Sequence, residues 1–136
     1  MALSKSITRA YGEPARIAVI PVGAEAIYAG AFLNFDNSGY AVKASDSASD
    51  NGFAGIAETE AANSAGSAGD LSVRVAMGVK RLWYSYSSAV QADAGKPVYA
   101  TADDTLSTSG SNIDACGIIE DVVVGSGWYV TFYTLR

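Results

Sequence analysis

Apolar residues in this chain come in short runs, and several runs alternate with polar positions at a period of two. The clearest is residues 70–77, Asp-Leu-Ser-Val-Arg-Val-Ala-Met. That spacing belongs to a half-buried strand, whose successive side chains point to opposite faces. The same reading places strands over residues 15–22, 27–35, 40–43, 52–58, 79–86, 97–101, 106–108, 115–124 and 128–135. Turn clusters punctuate them. Asp36-Asn37-Ser38-Gly39 closes one hairpin, and Gly125-Ser126-Gly127 closes the clearest one, between the last two strands. Pro21 marks its strand as an edge or as ending in a bulge. Gly78 marks a bend between strands. Residues 44–51 are rich in Ser and Asp and read as a loop; residues 59–69 read as a flexible loop or a short Ala-rich helix, with the two glycines of their second half favouring the loop. Residues 89–93 have room for a single helical turn.

About nine or ten short strands with glycine turns predict an all-β fold, a small β-barrel or β-sandwich of short antiparallel strands. The β domain spans residues 15–136. Residues 1–14 form a separate, extended N-terminal arm without clear periodicity. It mixes Ser4, Lys5, Ser6, Thr8 and Arg9 with Leu3, Ile7 and Tyr11, and it ends at Gly12-Glu13-Pro14. Such an arm is either a frayed end or a segment that orders on a partner, for instance by adding a strand to an exposed edge.

Within the domain, one pattern occurs twice. Ala29-Gly30-Ala31-Phe32-Leu33 leads through a polar excursion to Gly55-Ile56-Ala57-Glu58. Ala94-Gly95-Lys96-Pro97-Val98-Tyr99 leads through another to Gly117-Ile118-Ile119-Glu120. Gly95 follows Gly30 by 65 residues, and Gly117 follows Gly55 by 62. Each copy is a short apolar strand, a turn-rich detour and a Gly-Ile strand ending in Glu, as expected of duplicated hairpins.

Composition narrows the chemistry. The net charge is −5, which argues against direct binding of DNA or RNA. Charged residues make up only 17% of the 136, so a surface buried against partners fits better. There is no histidine, which removes the commonest general base and transition-metal ligand. The single cysteine, Cys116, cannot form an intrachain disulfide and reads as a small buried strand residue. The first residues lack an apolar signal core, and no run approaches the roughly 18 apolar residues of a membrane span. Gly95-Lys96 resembles the end of a phosphate-binding loop, but Val90 and Pro97 stand where that motif needs Gly and Ser or Thr. Residues 46–52 fail as a calcium loop at Ala48 and lack the distal Glu. Asp103-Asp104 reads as a turn, while Glu58 and Glu120 read as polar residues closing equivalent strands. The serines have neither a nucleophile elbow nor a histidine partner. No catalytic, cofactor-binding or metal residue is therefore predicted.

The aromatics are concentrated. Alternation places Tyr84 and Tyr86 on one face of their strand and Trp83 on the other. In the last strand it groups Trp128, Val130 and Phe132 against Tyr129, Thr131 and Tyr133. One set fills the core. Trp83, Tyr84, Tyr86, Tyr129 and Tyr133 are the candidates for an oligomer or partner interface, where Tyr and Trp are enriched, or for a sugar platform.

Taken together, Gly39-Tyr40-Ala41-Val42, Phe53-Ala54-Gly55-Ile56-Ala57, Val73-Arg74-Val75, Gly78-Val79, Gly95-Lys96-Pro97-Val98-Tyr99, Asp104-Thr105-Leu106-Ser107 and Gly117-Ile118-Ile119-Glu120 resemble the capsid decoration, or cement, proteins of tailed bacteriophages. The resemblance runs from about residue 14 to the C-terminus. It implies a non-enzymatic β-barrel or β-sandwich on the outer capsid surface of the virion, assembled in the host cytoplasm. The implied partner is the major capsid protein, bound after head expansion. The implied assembly is a homo-oligomer, with a trimer favoured and a dimer as the other option. Some members carry a recombinase-like label, which the failed phosphate loop argues against here. An arm that reaches across capsid subunits is common in the group, making Leu3, Lys5, Ile7, Arg9 and Tyr11 the expected capsid-binding residues. The alternative is a carbohydrate-binding or adhesive β module of a virion tail or fibre.

Overall fold

The computed structural model describes residues 3–47 and 49–133. Among them run twelve strands: β1 (Arg16–Pro21), β2 (Ala26–Ile27), β3 (Phe32–Phe35), β4 (Ala41–Lys43), β5 (Gly52–Ala57), β6 (Ala61–Ala62), β7 (Ser72–Met77), β8 (Leu82–Ser85), β9 (Pro97–Ala102), β10 (Thr105–Ser107), β11 (Gly117–Val123) and β12 (Gly127–Phe132). A single 3-10 turn, Gln91–Asp93, occupies the place foreseen for a helical turn. Two antiparallel five-stranded sheets carry the fold, in the orders β1-β7-β5-β3-β4 and β10-β9-β11-β12-β8. The all-β expectation holds in its sandwich form. One isolated parallel bridge, Val22 to Ala41, brings the two ends of the first sheet together at a point, but among the described residues no ladder closes a barrel.

Strand number is where the sequence reading falls short. The stretch read as one strand over residues 27–35 is two elements. Ile27 belongs to β2, and a turn over residues 28–31, with Gly30 at φ +91°, separates it from β3. The stretch read as a loop over residues 59–69 contains β6, which pairs with β2. Two-residue strands are too short to show a period, so neither could be found by alternation.

The core has two parts. One lies between the sheets: Leu82, Val98, Leu106, Ile119, Trp128, Val130 and Phe132 from the second sheet meet Phe32, Ile56 and Ala76 from the first. The other lies on the opposite face of the first sheet, where Ile20, Leu33, Val73, Val75 and Met77 pack with Val22, Ile27 and Ala61. The alternation along β3 makes the division plain, with Phe32 in one core and Leu33 in the other.

The repeated pattern is a duplicated sheet. Reading the second sheet from its other end gives β8-β12-β11-β9-β10, the counterpart of β1-β7-β5-β3-β4 strand for strand. The registers agree as well. Phe32 faces Ile56 and Leu33 faces Gly55; Pro97 faces Ile118 and Val98 faces Gly117. Gly30 N donates to Ala57 O and Gly95 N to Ile119 O, both at 2.8 Å. Ala57 N donates to Ala31 O and Ile119 N to Lys96 O, both at 2.9 Å. Following the ladders outward, Ala57 pairs Val75 and Val75 pairs Ala18, while Ile119 pairs Val130 and Val130 pairs Leu82. Val19 is thereby the counterpart of Trp83, and Arg74 of Tyr129.

Two glycines show why the copied positions resist change. A Cβ on Gly55 would run into the Ala76 carbonyl oxygen on β7, and one on Gly117 into the Thr131 carbonyl oxygen on β12. At the same step of both sheets the backbones approach too closely for any side chain.

Candidate functional surfaces: the arm and the aromatic face

The arm lies in an extended course along its own domain. Ile7, Arg9 and Tyr11 are half-buried, and Thr8 and Ala10 between them are exposed, as in a strand with one face down. Ile7 N donates to Ala29 O at 2.9 Å, and Ser6 Oγ accepts Ala29 N at 3.0 Å. Further on, Trp83 N donates to Ala10 O at 2.9 Å and Gly12 N to Lys80 O at 2.8 Å. The arm thus starts against the first sheet and ends along the open edge of β8 in the second.

Its side chains lock this course. Arg9 Nε donates to Gly30 O at 2.6 Å, and its guanidinium carbon sits 4.2 Å from the centre of the Phe32 ring. Burial lowers the Arg9 pKa from its usual value, while Tyr84, Asp104 and Asp103 act to raise it. Arginine keeps its charge under such conditions. Tyr11 packs against the inter-sheet core and donates its hydroxyl to Glu58 Oε2 at 3.3 Å. Burial raises the Tyr11 pKa, and the Glu58 charge and hydrogen bond add to it. Glu58 also pairs with Arg74 Nη2 at 3.5 Å. Leu3 N donates to Asp103 Oδ1 at 3.0 Å, and Leu3 packs against the second core. Lys5 alone among the five expected arm residues is exposed. The arm therefore spends the side chains of Ile7, Arg9 and Tyr11 on its own domain. A cavity of about 420 Å³ lies beside it, walled by Ile7, Arg9, Tyr11, Gly30, Glu58 and Arg74.

Asp103 does more than make the turn read for it. It is buried, its backbone oxygen accepts Phe32 N at 2.8 Å, and its Oδ2 has no hydrogen bond among the described residues. Nothing local to Asp103-Asp104 marks the first carboxylate as buried. Asp46, in the loop that failed as a calcium site, instead accepts the backbone N–H groups of Ser111 and Asn112 and ties two loops together. Those bonds hold its carboxyl below the usual range.

The five aromatic candidates do not form one surface. Tyr84 and Tyr86 lie on the inner face against Trp128, Tyr84 stacked on it at a ring-centre distance of 5.6 Å and Tyr86 tilted to it at 4.7 Å. Trp128 is buried, and its Nε1 donates to Asp93 Oδ2 at 3.1 Å. Trp83 and Tyr129 lie together on the outer face, 5.0 Å apart, with Arg81 over Tyr129 at 4.4 Å. Thr131 Oγ1 donates to Glu120 Oε1 beside them. Tyr133 stands apart at the end of β12, lining a second, apolar recess with Phe35, Phe53 and Cys116. Alternation assigned these faces correctly; it could not show that Tyr84 is half-buried while Tyr86 on the same face is exposed.

Cys116 is buried, and burial pushes its thiol up to about 12. Among the described residues no group of three or more His, Cys, Asp or Glu is placed to hold a metal ion. No helix among them is long and apolar enough to cross a membrane. Comparison with protein-family models, curated proteins and solved structures finds no match to this chain.

Proposed function

We propose that this chain is a non-enzymatic decoration, or cement, protein of a tailed-bacteriophage head. In this reading it binds the outer surface of the major capsid protein lattice as a homo-oligomer and stabilises the expanded head. The sequence resemblance supplies the family. The observation that supports it most is the arm, whose described residues make no strand of their own and cross from one sheet to the other. It is held by separate anchors instead of a continuous ladder. Such a segment can exchange its own groove for a lattice surface at moderate cost. Attachment through several copies makes modest single contacts effectively permanent.

The test mixes purified protein with expanded, undecorated heads. The intact chain is expected to co-sediment with them; if it does not, the decoration reading fails. Deleting residues 1–11 is expected to weaken binding strongly. Unchanged binding by a deletion variant that still melts cooperatively sinks the role of the arm and leaves the family reading standing.

A second reading rests on the outer aromatic face. Trp83 and Tyr129, tilted 54° to each other, make with Arg81 a half-exposed aromatic group on which Trp83 can stack a sugar ring. It corresponds to a carbohydrate-binding or adhesive module of a tail or fibre. Saturable glycan binding that is lost on Trp83→Ala would favour it over the capsid reading.

A further inference from the structure

The two copied sheets differ at one edge. β8 is an outer strand of its sheet, and the arm covers it by accepting the Trp83 N–H at Ala10 O. β1 is the outer strand at the equivalent place, and Val19 is the counterpart of Trp83. There the apolar side chains are left to solvent, Val19 at 69% and Ile17 at 45% exposure.

The backbone at this edge also points outward. Opposite Val19 on β7, Arg74 turns both its main-chain groups toward β5: its N–H goes to Thr59 Oγ1, and its C=O accepts Glu58 N. Val19 and Arg74 are thus a non-hydrogen-bonded pair, and the N–H and C=O of Val19 face away from β7. Two residues earlier, Ile17 does the same. At the even positions the bonds run inward, as Val22 N to Leu71 O at 2.9 Å shows. Proteins usually guard such an edge with charge, proline or a covering segment. In β1 the only charge is Arg16 at one end and the only proline is Pro21 at the other; just beyond Pro21 the Val22–Ala41 bridge sets β4 against the edge, so the open stretch is residues 16–20.

We propose that β1 is a pairing edge for a second copy of this chain, joining two first sheets antiparallel about a two-fold axis at Ala18. The strand is self-complementary in that register. Ile17 of each copy faces Val19 of the other, and these are the residues whose main-chain groups point out, so the axis creates four backbone hydrogen bonds. Their β-branched side chains meet as cross-strand pairs on one face. Arg16 falls opposite Ile20 of the second copy, so like charges do not meet. Pro21, which has no N–H, falls opposite Ala15, whose own N–H is already given to Met77 O at 2.9 Å. The outcome is an isologous dimer, the second of the two assemblies the resemblance implies, built on a continuous ten-stranded sheet.

The test needs only purified full-length protein, so its failure is distinct from failure of capsid binding. Light scattering over a concentration series is expected to show a species of twice the 14.0 kDa chain mass at tens of micromolar. Val19→Lys is expected to weaken the dimer at least tenfold with the circular dichroism spectrum unchanged. Ala18→Cys places two sulfurs at the axis and is expected to give a covalent dimer under mild oxidation. Native Cys116 is buried and leaves the wild-type control uncrosslinked. A wild-type monomer throughout, a trimer, or a dimer that Val19→Lys leaves intact would each overturn the proposal.

Discussion

Arg9 is the anchor on which the docked arm depends, and replacing it with alanine should release the arm without unfolding the domain. The guanidinium donates to Gly30 O at 2.6 Å and lies 4.2 Å from the Phe32 ring centre. A hydrogen bond from a charged donor contributes about 1.5–3 kcal/mol, and a partly desolvated cation–π contact about 1–2. Freeing the side chain returns about 2 kcal/mol of rotamer entropy, so the net loss is about 0.5–3 kcal/mol. That corresponds to a roughly 2- to 150-fold rise in the population of the released arm. The assay is amide hydrogen exchange at Ile7 and Trp83, whose N–H groups donate to Ala29 O and Ala10 O across the arm contact. Both should exchange faster by that factor in Arg9→Ala. The Gly117 and Ile119 amides, within the second sheet, should keep wild-type protection. Arg9→Lys keeps the charge but loses the planar stack and the Nε bond, and should fall between. Wild-type exchange at Ile7 and Trp83 in Arg9→Ala would refute the anchor.

Two further outcomes follow from the packing. Gly55→Ala forces a Cβ onto the Ala76 carbonyl at φ +154° and should destabilise by about 2–5 kcal/mol. Gly117→Ala meets the Thr131 carbonyl at its equivalent step and should cost about 2–3 kcal/mol. Gly125→Ala, with left-handed backbone but open space around it, should lose only about 1 kcal/mol in the same denaturant titrations. Equal effects at Gly125 and Gly117 would contradict a steric role for the copied glycine. Cys116, with its thiol pushed up to about 12 by burial, should resist iodoacetamide at pH 8 until the domain unfolds. Because the folded value lies above the unfolded one, the fold favours the protonated thiol. Its contribution is complete below about 8.5 and is lost as pH rises toward 12. Alkylation at the rate of a free thiol in native protein would contradict this burial.

The legible parts of the fold were those with a period or a turn signature. Alternation placed β7 and separated Trp128, Val130 and Phe132 from Tyr129 and Thr131. The turn clusters placed the β3–β4 and β11–β12 hairpins. The duplication was visible only in part, because its outer strands have diverged. Val19 and Trp83, or Arg74 and Tyr129, share no chemistry, and only the pairing register makes them counterparts. The arm carried the same limitation. Ile7, Arg9 and Tyr11 alternate with Thr8 and Ala10, but the inward partners, Gly30, Phe32 and Glu58, are more than twenty residues away. Burial of Asp103 is set by Leu3 and Phe32, again distant in sequence.

Duplication followed by divergence locates function where the two sheets differ, since what they share is scaffold. In the first copy the face bearing Phe32, Ile56 and Ala76 is buried against the second sheet. Its register counterpart in the second copy bears Pro97, Ile118 and Thr131, and that face is left outside with Trp83, Tyr129 and Arg81. At the edges the asymmetry runs the other way: the second copy has its outer strand covered by the arm, while the first leaves Ile17 and Val19 open. Each copy thus presents one surface that its twin keeps covered. The outer aromatic face and the β1 edge come from different sheets and use different side chains, so a partner on one need not compete with a partner on the other. An assembly that pairs through β1 keeps both aromatic faces and both arms available, which is the arrangement a multivalent surface-binding protein requires.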